Sequence, residues 1–381
     1  LTAGTRRFSQ KDISDNLEFF GASYGGSVTH EYSTYSVSGL VKDIVPTMKK
    51  ICHLFQDATF PKKEIIKERR RARNSLNNLV NSHGALASRA FREISLKGSP
   101  YYYPVSGKLR DIKRIKRKAL LRKLKYFNQK VAKRVYITGP KESLGIEKIV
   151  NQECGWTSKK KGFVRKVNYR PIIKSEPDIY LVTVPKANQA QVRIGRFLNK
   201  SEIKNDELMS LVSNFLGGGF TSRLMREVRV KRGLTYSIGA YAGGQKEYGR
   251  AGINTFTKNK TVGELFSVIK NTLDKTGQGE FDAKDLERAK GHLAGSYPFR
   301  FERSRAYLSQ LLIMDHTGRD YSELYKFPER VRSFDKDKVI GELNKIFGWD
   351  KQSMVVVGSK KLRKQLKKYG KVKVITYKQF L

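Results

Sequence analysis

Apolar residues recur at helical spacing over residues 9–20, where SQKDISDNLEFF sets Ile13, Leu17 and Phe20 on one face behind Ser9, a capping residue. The pattern stops at Gly21, and STYSVSGL (33–40) alternates as a half-buried strand does. Helical spacing returns in VKDIVPTMKKICHLFQD, with Val45, Met48, Ile51 and Leu54 repeating. After a break at Pro61, one long charged helix is predicted over 62–95. SPYYYPVSG (99–107) reads as a loop, followed by a basic helix, a strand in KRVYITGP (133–140) and a helix in LGIEKIVNQEC (144–154). Residues 151–177 are polar, basic and without period, a linker pattern that divides the chain into domains 1–165 and 166–381. Beyond it, IYLVTVPKANQAQVRIGRFL predicts two strands, and NDELMSLVSNFLGGGF a helix running into Gly217, Gly218 and Gly219.

An internal repeat links the two parts. GASYGGSVTHEY (21–32) matches GAYAGGQKEY (239–248), each preceded by a helix and followed by an alternating strand. Each copy continues into an amphipathic helix, IVPTMKKICHLF or VGELFSVIKNTL. Then come a break at Phe60–Pro61 or Phe281–Asp282 and a long charged helix. The offset of about 218 residues marks a domain duplication rather than a solenoid. The second copy has about 60 residues before the matched point and the first only about 20, so the first repeat is expected to lack its opening strands and helix.

Composition narrows the class. The chain has 381 residues, 39% hydrophobic and 11% aromatic, enough for two or three folded domains. No run of apolar residues approaches a membrane span. Cys52 and Cys154 are too few for a disulfide framework or a cysteine zinc site and are expected as small buried hydrophobes. They do not decide the compartment. Lysine and arginine number 77 against 35 acids, a formal charge of +42. Such a field attracts anionic partners. The excess is spread over several helices at amphipathic spacing, and no nucleic-acid motif accompanies it, so no specific nucleic-acid partner is expected.

The segment LGGGFTSRLMREVRVKRGLTYSIGA (216–240), with TRRFSQKDISDNLEFFGASYGG and FPKKEIIKERR in the first half, resembles the pitrilysin/insulinase family of zinc peptidases. The family includes the mitochondrial processing peptidase subunits, and the resemblance covers nearly the whole chain. It implies an α+β fold of two tandem homologous domains, each an antiparallel-dominated sheet covered by helices, the first truncated at its start. The family's H-x-x-E-H zinc motif is not present: His30, His53, His83, His292 and His316 include no pair four apart. The motif would fall just before Leu1, so its absence alone decides little. The family's downstream glutamate ligand should fall at Asn74 or Ser75, poor zinc ligands, with Glu64 and Glu68 earlier on that helix. The resemblance therefore implies no metal in this chain.

What the resemblance does carry over is an arginine and a tyrosine seven residues apart, at Arg229 and Tyr236. In the family such a pair reaches the zinc site of the opposite domain and stabilises the oxyanion. Arg232, three residues on, is the competing candidate. Gly217, Gly218, Gly219 and Phe220 resemble the glycine-rich segment with which a non-catalytic processing subunit contacts substrate.

These correspondences imply a non-catalytic, substrate-binding subunit of a heterodimeric metallopeptidase acting on unfolded peptides. Zinc would reside in an H-x-x-E-H-bearing partner; a homodimer is the other assembly. The alternatives are an active zinc endopeptidase with its motif upstream and a non-enzymatic scaffold of the same fold. Bacterial chains of this kind often act in the periplasm, which favours that compartment by analogy.

Overall fold

The computed structural model describes residues 1–140, 145–156 and 178–381. The expected boundary at 165–166, and most of the linker before it, lie outside the described residues. The chain divides into two compact units, Leu1–Asn77 with Val105–Lys166, and Asn78–Pro104 with Val167–Leu381. The division is therefore not one cut: residues 78–104 pack with the second unit.

The first unit opens with α1 (Gln10–Phe19), started by a Ser9 capping box in which Asp12 reciprocates. Strands β1 (Ser23–Val28) and β2 (Ser33–Ser38) pair antiparallel. Helices α2 (Val41–Gln56) and α3 (Lys62–Asn77) follow, as the repeat requires. The long helix expected over 62–95 is instead two. After α3 the chain tightens into a single turn at Asn78–Asn81 and restarts as α4 (His83–Ser95), because α4 buries its apolar face in the second unit's sheet. Back in the first unit come the single turn α5 (Leu109–Ile112), the basic α6 (Arg117–Lys130) and α7 (Ile146–Glu153). Ile13, Ile51, Leu54 and Phe55 form this unit's core, with Trp156 edge-on to Phe55 at 4.8 Å. The strand expected over 133–140 does not form; no sheet partner pairs with it among the described residues.

The two cysteines correct a second expectation. Cys52 of α2 and Cys154, at the end of α7, are joined in a disulfide and no free thiol remains. Both are buried, as small hydrophobes would be, but their function is covalent.

The second unit is built on a six-stranded mixed sheet in the order β5-β6-β4-β7-β3-β8. Its strands are β3 (Asp178–Thr183), β4 (Gln189–Asn199), β5 (Ile238–Gly244), β6 (Tyr248–Lys258), β7 (Ser353–Gly358) and β8 (Val372–Thr376). Three of the five pairings are antiparallel and two parallel. Every residue of β7 is buried, as suits a central strand covered on both faces. One face, with Ile179, Leu181, Val192, Ile194, Met354 and Val356, meets α8 (Asp206–Gly217), α9 (Val262–Gly277), α10 (Ala283–Ser296), α12 (Glu323–Ser333) and α13 (Lys336–Phe347). Helix α11 (Ser304–Thr317) buries only Met314.

The opposite face, with Val182, Val184, Val355 and Val357, is covered by Leu86, Ala87, Ala90 and Phe91 of α4. Arg193 of β4 pins that helix: its guanidinium donates to the Gly84 carbonyl at 3.1 Å and to Ser88 Oγ at 3.2 Å. The hairpins β1–β2 and β5–β6, each followed by two helices, occupy equivalent places in the repeat. Among the described residues no helix is long and apolar enough to cross a membrane.

Candidate functional site

Helix α8 starts at Asn205, whose Oδ1 accepts the Leu208 N–H at 2.9 Å, and ends at the glycine run. That run closes the helix, and two of its glycines answer packing. A Cβ on Gly217 would stand 2.2 Å from the backbone nitrogen of Ala240 in β5, and one on Gly218 would collide with Asn214. The helix end therefore lies directly on its own sheet. Only Gly219 faces open space.

From Gly219 the chain makes a tight turn. The N–H of Ser222 donates to the Gly219 carbonyl at 3.1 Å, and the Ser222 hydroxyl donates to the same oxygen at 2.6 Å. Ser222 is buried, so the turn is anchored from below and presents Phe220, 73% exposed, at its tip. The basic run beyond it is wider than an ordinary helix: Met225–Val230 is a π-helical turn, in which the Lys231 N–H reaches the Arg226 carbonyl at 3.0 Å. Such turns are rare and concentrate at functional sites. Leu224, Met225 and Val228 hold this segment to the core.

Around that turn four cations are tied to carboxylates. Arg226 meets Asp285 at 2.8 Å and Arg223 the same carboxylate at 3.9 Å. Lys231 and Arg232 both pair with Glu227, at 2.7 and 3.0 Å. Burial alone would raise the Asp285 carboxyl, but hydrogen bonds and charge from Arg226 and Arg288 outweigh it and hold it below the usual carboxylate range.

Arg229 has no carboxylate partner among the described residues. Its guanidinium lies over two rings, 4.6 Å from the centroid of Tyr236 and 5.1 Å from that of Phe220. Arg232, the competing candidate, is committed to Glu227.

Tyr236 is 75% exposed, yet its backbone is fixed on both sides. Leu234 and Ile238 are buried, and Thr257 Oγ1 donates to the Leu234 carbonyl at 2.6 Å. Thr255 Oγ1 lies 2.9 Å from the Ser237 carbonyl and 3.2 Å from Thr235 Oγ1. These β6 threonines are the residues that sequence reasoning missed. Their signal was present in NTFTK, where two hydroxyls at i, i+2 share the buried face of a strand.

The structure thus brings Arg229, Tyr236 and Phe220 together beside open Gly219, and places Gly217 and Gly218 in packing. A cation whose N–H groups are uncommitted among the described residues, next to an exposed phenol, can bind an oxyanion or a polarised carbonyl.

Zinc requires a different donor set. Among the described residues no three histidine, cysteine, aspartate or glutamate side chains come together. On α3, Asn74 and Ser75 are exposed, Glu64 pairs with Lys67 at 3.3 Å, and Glu68 points into solvent against Arg71. These side chains do not fit a zinc centre.

Residues 133–293, which include the whole arginine–tyrosine segment, match the Peptidase M16 inactive domain. The matched stretch is similar to the M16 peptidase family, in its inactive domain. Among curated relatives, an uncharacterized zinc protease of Streptomyces coelicolor is 22% identical over 322 residues, 82% of this chain and 68% of the relative. The non-peptidase homolog YmxG of Helicobacter pylori is 34% identical over 130 residues, 34% of this chain and 29% of the relative. A peptidase M16 inactive domain from Pseudomonas fluorescens shares the fold with a TM-score of 0.81 at 23% identity, over 94% of this chain and 86% of that one. A protease from Helicobacter pylori follows with a TM-score of 0.75 at 13% identity, over 94% and 87%.

Proposed function

We propose that this chain is the non-catalytic, substrate-binding subunit of a two-chain M16 metallopeptidase acting on unfolded peptides. Arg229 and Tyr236 complete the zinc site of a catalytic partner, an H-x-x-E-H-bearing chain of the same family. The observation that carries this reading is the state of Arg229. Four neighbouring cations are spent on Asp285 and Glu227, while Arg229 is held over an exposed tyrosine, its N–H groups uncommitted among the described residues.

Both side chains suit a substrate carbonyl that acquires negative charge. A fixed guanidinium and a phenolic O–H donate to the oxygen as the charge develops, and neither has to be reorganised first. The open backbone at Gly219 lets an extended peptide approach closely. A scaffold role would place Arg229 and Tyr236 in packing, and the 75% exposure of Tyr236 speaks against that.

The test is cleavage of an unstructured fluorogenic peptide by this chain, alone and with a candidate catalytic chain, with zinc content assayed on the same samples. Activity is expected only with the partner, and Arg229→Ala or Tyr236→Phe should lower kcat about a hundredfold. Cleavage with stoichiometric zinc in this chain alone would overturn the proposal, as would an unaffected Arg229→Ala complex.

A further inference from the structure

We infer that Phe220 is a positioning residue for Arg229, with the role of keeping that guanidinium off the neighbouring carboxylates and aimed at substrate. The inference rests on the proposed function for its kinetic consequence, but its geometry stands apart from it.

Phe220 is 73% exposed and belongs to no core cluster among the described residues. Its backbone, however, is not loose, since Ser222 clamps the Gly219 carbonyl with both its N–H and its hydroxyl. The fold thus spends a buried serine on holding an exposed ring in place. On the other side, the backbone flanking Tyr236 is held by the hydroxyls of Thr255, on the Ser237 carbonyl, and Thr257, on the Leu234 carbonyl. Arg229 lies over both rings, 5.1 Å from Phe220 and 4.6 Å from Tyr236.

The competition nearby explains why such a device is needed. Glu227 stands two residues before Arg229 and already holds Lys231 and Arg232, while Asp285 holds Arg223 and Arg226. An arginine without an aromatic seat in this setting would drift among these acids, and its N–H groups would be lost to substrate. A cation over ring faces keeps its attraction without using N–H donors, which leaves the planar edge of the guanidinium for an oxyanion.

The full chain is compared with Phe220→Ala, Phe220→Leu and Phe220→Trp; circular dichroism confirms folding, which an exposed side chain should not disturb. In the first arm, arginine Nε–Hε correlations are recorded on protein labelled with 15N-arginine, and Arg229 is assigned by its loss in Arg229→Lys. The Arg229 resonance is expected to carry a ring-current shift that Phe220→Ala and Phe220→Leu diminish and Phe220→Trp restores. In the second arm, peptide cleavage is measured with the catalytic partner. Phe220→Ala and Phe220→Leu should lower kcat about two- to fivefold at unchanged KM, the equivalent of one exposed cation–π contact of roughly 0.5–1 kcal/mol, and Phe220→Trp should recover it.

An unmoved resonance in Phe220→Leu overturns the inference. So does a rise in KM at constant kcat, which would make Phe220 a substrate contact instead. If the wild-type chain supports no cleavage with any partner, the proposed function fails, and the resonance arm still decides the seat of Arg229.

Discussion

Breaking the Cys52–Cys154 bridge tests the structure of the first unit most directly. The bond joins α2 to the end of α7 across a sequence separation of 102 residues. Loop-closure entropy for a ring of that size gives roughly 4.7 kcal/mol of stabilisation, and measured disulfides commonly give about 2–5 kcal/mol. The unit it staples has a small core around Ile13, Ile51, Leu54 and Phe55, so that loss would be a large share of its stability. The chain supplies its own reporters, since it has two tryptophans. Trp156 sits in the first unit, 4.8 Å from the Phe55 ring, and Trp349 packs on Phe266 in the second. Urea titration of Trp349→Phe, followed by the remaining tryptophan, should show the midpoint fall by about 1–2 M on reduction or in the Cys52→Ala/Cys154→Ala background. Trp156→Phe reports the second unit as an internal control, and its midpoint should hardly move. Two titratable thiols in the denatured, unreduced protein would refute the bridge. An unchanged Trp156 midpoint after reduction would refute its energetic role.

Two further outcomes follow from the packing around the arginine–tyrosine segment. Gly217→Ala should destabilise by about 1–3 kcal/mol or more, because its Cβ would meet the Ala240 nitrogen, whereas Gly219→Ala should be nearly neutral; thermal melts of both variants check this. Asp285→Asn should cost about 1–3 kcal/mol at neutral pH by releasing Arg226 and Arg288. The Asp285 carboxyl is held low in the folded chain, so its contribution is present above the ordinary carboxylate range near about pH 4 and disappears as pH falls through the lower folded value. The stability curves of wild type and variant should therefore converge in acid, and a constant gap down to pH 2 would contradict the ion-pair assignment.

Periodicity and repetition determined much of this protein by themselves. The hairpin-helix-helix order of both repeats was legible because amphipathic spacing is set by neighbours within a few residues. The same holds for Ser9 as a cap, and the segment around Arg229 and Tyr236 was singled out by its letters alone. What sequence could not decide is what each face meets. Helix α4 reads as a continuation of α3, yet it covers the second unit's sheet, since the valines it buries lie about a hundred or more residues downstream. Cys52 and Cys154 carry no local sign of pairing; only the packing of α2 against the α7 segment brings them within bonding distance. Among the basic residues of 223–232, composition treats every cation alike. Tertiary structure separates Arg229 from the rest because Asp285 arrives from α10 and captures Arg226, while the turn at Phe220 and the strand-anchored Tyr236 arrive from the other side. A charge acquires its role from the groups that long-range folding sets beside it, and that information is not contained in any short stretch of chain.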